Sequence, residues 1–297
     1  MSTTTPQSTS QAKRSALSWA TSAIEVIVSW GPALLIVAPL FLLTLGAFSE
    51  TWDSQGPRGF TLNAFSQAWS VSAKSAVFSL WIAATAALIS MSLAIPAAYL
   101  LNQEGSVIAR VLRPLCSLPV VLPSLMLAMG LILALPALQG GWELLLIAFV
   151  AQCLPFAIWP IATSLQLLDV GLLETAGRTL GASPTQRFFW LVLPNIIRPA
   201  AVGGLTVFVL VLAESSTSFF LASGEYQPFG ITLYNAFQDL DIRVAAATTL
   251  ILIAMLTPAV ITLEVWSARS VRRKGGLNSE LSTHSGASAS AATQSMA

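Results

Sequence analysis

The sequence predicts an all-α integral membrane protein with six transmembrane helices, both termini in the cytosol, and a structured cytosolic loop between spans four and five. Three observations predict it. Hydrophobic residues make up 55% of the 297 and charged residues only 9%, against about a quarter charged in soluble domains. Six apolar runs reach the ~20 residues that cross ~30 Å of hydrocarbon. The basic residues are distributed unevenly over the connections between those runs.

The elements follow in chain order. Residues 1–15 are polar and low in complexity and read as a disordered tail. Leu17–Ser29 reads as an amphipathic lead-in, and Trp30–Phe48 as an uncleaved first span, since no A-x-A site follows it. Further spans are expected at Ser75–Leu101, Pro114–Leu138, Glu143–Leu165, Pro199–Ala222 and Val244–Trp266. In lipid every backbone polar group must be bonded internally, so runs of this length are helices. Prolines 39, 96, 119, 123, 136, 155, 160 and 258 fall inside them and read as kinks that neighbouring helices tolerate. The membrane domain is expected over 16–274, with 275–297 a second disordered tail.

Orientation follows from lysine and arginine. One side holds Lys13, Arg14, Arg110, Arg113, Arg178, Arg187, Arg198, Arg269, Arg272, Arg273 and Lys274, and the other only Arg58, Lys74 and Arg243. Eleven against three places both termini inside. Trp52, Trp69, Trp142 and Tyr226 lie on the outer connections as interfacial aromatics. Glu25, Glu143 and Glu264 stand at span ends.

Several function classes drop out. A net charge of +1 offers no field for nucleic acid. Cys116 and Cys153 lie in apolar runs without metal-ligand spacing, and the single histidine, His284, lies in the C-terminal tail. No Ser/His/Asp set, metal cluster or dinucleotide-binding glycine pattern is found. There is also no G-x-x-x-x-G-K-[ST], and none of the three lysines follows a glycine. No ATP or other cofactor is therefore expected in this chain.

The most informative segment is 169–199, DVGLLETAGRTLGASPTQRFFWLVLPNIIRP. Asp169 can cap a helix to about Leu180, and Gly181 suits the left-handed position after a helix end. Ser183 is a second N-cap, with Pro184 at N1 and Gln186 completing a capping box. The expectation is helix, glycine turn, helix, with Pro194 and Pro199 breaking the chain back into the membrane. Phe188, Phe189, Trp190 and Leu191 are too apolar for a free cytosolic surface. The underside of the membrane helices, a partner, or the bilayer itself would cover them.

This segment resembles the coupling loop of the permease subunits of binding-protein-dependent ATP-binding-cassette (ABC) importers, the MetI-like group. The family pattern is Glu-Ala-Ala, three residues, Gly, nine residues, Ile-x-Leu-Pro. Here nine residues separate Gly181 from Leu191-Val192-Leu193-Pro194, and the family's alanines fall on Ala176 and Gly177. The family's Glu falls on Thr175, with Glu174 one place earlier, so Thr175, Gly177 and Leu191 depart from the pattern. The likeness extends over about 71–266. LAESSTSFFL (212–221) and RPLCSLPVVLPSLMLAMG (113–130) are similar to permeases for polyamines, ferric iron and phosphonates.

The resemblance implies a non-enzymatic permease subunit of the cytoplasmic membrane that imports a small hydrophilic solute. Its ATPase-coupling residues would be Glu174, Thr175, Ala176, Gly177, Gly181, Leu191, Leu193 and Pro194. ATP and Mg would sit in separate ABC ATPase subunits. A second permease chain, identical or homologous, and an extracytoplasmic solute-binding protein would complete the assembly. The alternatives are a secondary transporter or channel, and an intramembrane enzyme. Glu214 is the one carboxylate well inside an expected span, followed by Ser215 and Ser218. This strip reads either as a substrate path or gate, or as hydrogen bonding between helices.

Overall fold

The computed structural model describes residues 28, 30–32, 34–53, 56–102, 107–168, 170–239 and 241–266. The expected tails, most of the amphipathic lead-in, Asp169 and the basic cluster 269–274 lie outside the described residues. Among the described residues, five helices are long and apolar enough to cross a membrane: α1 (Trp30–Phe48), α2 (Asn63–Leu101), α5 (Trp142–Leu167), α7 (Pro184–Ala213) and α10 (Ile242–Trp266). Counting as one span the bent pair α3 (Val107–Val121) and α4 (Ser124–Ala134), whose apolar stretches meet at 108°, gives six. Shorter helices are α6 (Val170–Thr179), α8 (Ser216–Leu221) and α9 (Phe229–Gln238).

The chain divides into two compact units, one of 1–68 with 240–250 and one of 69–239 with 251–297. In the first, strands β1 (Thr51–Asp53) and β2 (Gly56–Arg58) pair as a small antiparallel hairpin, with Trp52 opposite Pro57. Asp241 starts α10 by accepting the N–H groups of Arg243 and Val244 at 3.1 and 3.4 Å. The Arg243 side chain reaches back to the Asp241 carboxylate at 3.1 Å and to the carbonyl of Glu50. That guanidinium holds the Asp241 carboxyl below the usual range.

The second unit has its core on α5. Leu144, Leu145, Ala148, Phe149, Ala157, Ile158, Ile161 and Leu165 are buried along it at the spacing of one helix face. The most extensive helix contact is between α5 and α7. There α7 buries Ile196, Ala200, Gly203, Gly204, Val207 and Val211. A Cβ at Gly203 would lie 2.8 Å from the carbonyl oxygen of Ala157, so the two backbones touch. Small residues at such crossings let dispersion hold helices together where water exclusion contributes nothing.

Three sequence expectations need correction. The third span, expected as one run over Pro114–Leu138, is broken at Leu122–Pro123. Pro123 has no N–H to offer the carbonyl four residues earlier, and its ring pushes Leu122 out of helical geometry. Pro194 and Pro199 do not break the chain. Helix α7 runs through both for 30 residues, through a π segment at Arg187–Val192 where Leu193 N–H donates to Phe188 C=O. The wider turn changes register ahead of Pro194, and Asn195 Nδ2 donates to the Leu191 carbonyl at 2.7 Å. Finally, the fifth span ends at Ala213, not Ala222.

The α5–α7 crossing leads to a test. Gly203→Val should lower the unfolding midpoint of the purified chain, as overpacking costs about 1–3 kcal/mol. Gly130, where an added Cβ would meet nothing within 4 Å, should accept alanine with a change within about 0.5 kcal/mol.

Candidate functional site

The loop between α5 and α7 is built by local rules. Helix α6 ends with a Gly181 at φ +75°; Gly181 N–H donates to Arg178 C=O at 2.9 Å and Ala182 N–H to Gly177 C=O at 3.0 Å. These bonds satisfy carbonyls that a helix end leaves orphaned. Ser183 then caps α7, its hydroxyl accepting Gln186 N–H at 3.3 Å while Gln186 Oε1 accepts Ser183 N–H at 2.9 Å. Both halves of the expected capping box are present. The second loop helix is continuous with the fifth span.

Tertiary contacts then fix the loop. Tyr99, near the end of α2, donates its hydroxyl to Glu174 Oε1, and Arg178 lies 3.6 Å from Glu174 Oε2. The Tyr99 ring meets Phe188 edge-on at 5.3 Å, so one residue touches both arms of the loop. Gly177 is where the arms cross. A Cβ there would fall 2.8 Å from Arg187 Cδ and 3.0 Å from Leu191 Cδ1, which accounts for glycine at the family's alanine. Arg187 Nη1 bonds the Ala182 carbonyl at 3.2 Å.

The candidate coupling residues therefore separate. Thr175, Ala176 and Gly181 are exposed, Gly177 is buried, and Glu174 is turned inward with 19% of its side chain exposed. Leu191 packs at the crossing, and Leu193 joins the core. Pro194 sits at the start of the regular α7 helix. Trp190 and Leu180 project outward, 79% and 86% exposed. Tyr99 and Arg187 were not singled out in the sequence. Tyr99 lies 75 residues from its partner in an apolar run, and no local pattern marks it.

Glu214, Ser215 and Ser218 sit at a break between α7 and α8. Glu214 has extended backbone, and its Oε1 accepts the N–H of Thr217 at 2.6 Å, so the carboxylate satisfies a donor at the start of α8. Ser218 is buried, and its hydroxyl donates to the Glu214 carbonyl at 3.3 Å; Ser215 is exposed. Thr217 Oγ1 donates to Gln152 Oε1 of α5 at 3.0 Å. Helix α9 closes on the same break, since a Cβ at Gly230 would meet Glu214 O at 3.0 Å. Phe229 N–H donates to Ser79 Oγ at 2.6 Å, and Thr232 to Ser75 at 2.7 Å. Ser75 and Ser79 escaped the sequence reading, although hydroxyls four apart in an apolar run were the available signal.

Comparison with known proteins shows the family and the fold. Residues 90–275 match the family model described as binding-protein-dependent transport system inner membrane component. The putative 2-aminoethylphosphonate transport system permease protein PhnV of Salmonella paratyphi A is 25% identical over 232 residues, covering 76% of this chain and 87% of that one. The molybdenum transport system permease protein ModB of Haemophilus influenzae is 26% identical over 217 residues, covering 67% and 94%. A solved bacterial ABC transporter for import of the acidic polysaccharide alginate shares the fold at TM-score 0.64 and 16% identity, over 84% of this chain and 95% of that one.

The inward Glu174 generates a prediction. Tyr99→Phe and Glu174→Gln should each destabilise the chain by about 1.5–3 kcal/mol, the range for a hydrogen bond to a charged group. In a double-mutant cycle on unfolding midpoints their effects should be clearly less than additive. Additive effects would place the two side chains apart.

Proposed function

The chain belongs to the family of binding-protein-dependent transport system inner membrane components, and from that premise we propose how it couples ATP hydrolysis to import. It is a multi-pass permease subunit of an ABC importer in the cytoplasmic membrane. Its α6–Gly181–α7 segment is the surface on which a separate ATPase subunit pushes. The observation that carries this reading is the construction of that segment. It is capped at its turn, crossed tightly at Gly177, held to α2 through Tyr99, and continuous with a 30-residue span. A push on such an element is carried into the membrane as a rigid-body movement, where a loose loop would absorb it.

The contact surface offered to the ATPase is apolar and hydroxylic with one cation: Thr175, Ala176, Arg178, Thr179, Leu180 and Trp190 are exposed. Glu174 acts as an internal brace. ATP and Mg are bound by the partner, in line with the absence of a P-loop motif in this sequence. A second permease chain encloses the path, and an extracytoplasmic binding protein delivers the solute. The N-terminus, the C-terminus and the loop all face the cytosol, as the basic asymmetry requires. The solute is small and hydrophilic, with a phosphonate the leading candidate because the PhnV likeness extends over 76% of this chain. The Glu214 break, with Ser215 exposed beside it, is our candidate for the outer gate of the path.

Gly181 tests this reading. No neighbour lies within 4 Å of a Cβ at this site, and its φ is +75°, so a side chain meets only backbone strain, of roughly 1–2 kcal/mol for an ordinary residue and more when β-branched. Gly181→Val should insert in the membrane at normal levels yet capture the ATPase subunit weakly. Uptake of radiolabelled solute in vesicles should fall to background. Normal ATP-driven uptake by this variant would exclude the segment as the coupling element.

A further inference from the structure

At the end of the second unit that carries the loop, the last turn of α2, the first half of α3 and the C-terminal part of α5 enclose a cavity of about 320 Å³, open on one side. Its polar lining is Asn102, Arg113, Ser117, Thr163 and Gln166. Arg113 lies in the first half of α3, an exposed residue whose guanidinium reaches the cavity. Its Nε and Nη2 donate to the carbonyl of Leu101 at 3.2 and 2.7 Å. That carbonyl is an orphan acceptor at the end of α2.

Those two bonds aim the guanidinium without neutralising it. A guanidinium has five N–H donors, so three remain. None of the described residues lining the cavity is a carboxylate. The Ser117 hydroxyl and the amides of Asn102 and Gln166 supply neutral donors around the cation, while the Thr163 hydroxyl is engaged with the Trp159 carbonyl at 2.9 Å. That combination matches a tetrahedral oxyanion, for which arginine's fork is the preferred partner. Arg110, one turn earlier on α3, is exposed and adds a second positive charge. On the cavity's side of the same helix Leu112 and Val120 are exposed.

We propose that this cavity binds a phosphate-type oxyanion, presented as the headgroup of an anionic phospholipid whose acyl chain lies along Leu112 and Val120. Anionic headgroups concentrate in the cytosolic leaflet, the side on which the loop end is placed by its arginines. The site is separate from the coupling surface and does not depend on the identity of the solute.

The test uses the full-length chain in neutral detergent, with bound lipid counted by native mass spectrometry and stability followed by thermal unfolding. Phosphatidylglycerol should bind and raise the midpoint, while phosphatidylcholine should do neither. Arg113→Gln should weaken phosphatidylglycerol about tenfold, the loss expected for one charge-assisted contact. Because that variant also uncaps Leu101, Ser117→Leu provides the second arm: it fills the cavity and leaves both Arg113 bonds in place, and should weaken binding similarly. Inorganic phosphate binding as tightly as the lipid, and lost in both variants, would support the oxyanion site and assign it to a free anion. Equal binding of phosphatidylcholine and phosphatidylglycerol, or undiminished phosphatidylglycerol binding in Ser117→Leu, would overturn the proposal.

Discussion

Hydrocarbon offers nothing to a backbone N–H or C=O that loses its helical partner, and each such group left bare costs several kcal/mol. The second unit of this chain interrupts its helices repeatedly, and at each interruption a polar group of the chain takes water's place. Arg113 closes the end of α2 on the Leu101 carbonyl. Glu214 takes the Thr217 N–H where α7 gives way to α8. Ser79 takes the Phe229 N–H at the start of α9. These few side chains let a nearly uncharged sequence bend without exposing backbone.

The same device explains why the loop is stiff. A helix ending in water can fray, because water satisfies whatever is released. The end of α6 is closed by its own glycine turn, and the start of α7 by a reciprocal box, so neither arm gains by opening. Tyr99 adds a tertiary bond to Glu174 and an aromatic contact to Phe188. The glycine at 177 lets the arms approach within contact distance. The wider turn at Arg187–Val192 carries helix geometry into the membrane across a residue that would otherwise stop it. Loop and span are therefore one piece.

What the sequence disclosed follows the range of the forces involved. Spans were legible because each is a run of apolar residues, and the turn at Gly181 and the box at Ser183–Gln186 because caps act within three or four residues. Proline shows the limit. Pro96, Pro155, Pro160 and Pro199 sit inside continuous helices, while Pro123 coincides with a 108° bend. The residue type is the same at all five, so the type alone does not decide between a continuous helix and a bend. Glu214 read as a buried charge within a span because the run around it is apolar; its bond to Thr217 makes it a cap at a break. Tyr99 with Glu174, and Ser79 with Phe229, are pairs joined only by packing, and no spacing in the chain announces them.

Coupling by this route requires the loop and the fifth span to move as one body. Spin labels at Thr179 and Ile197, both on exposed positions, straddle the glycine turn, the capping box and the π segment. Pulsed dipolar spectroscopy on the assembled complex would compare the nucleotide-free and ATP-trapped states. A single narrow distance, unchanged between the two, is the predicted result. A distance that shifts or broadens when ATP binds would locate a hinge inside the segment and contradict transmission by a rigid element.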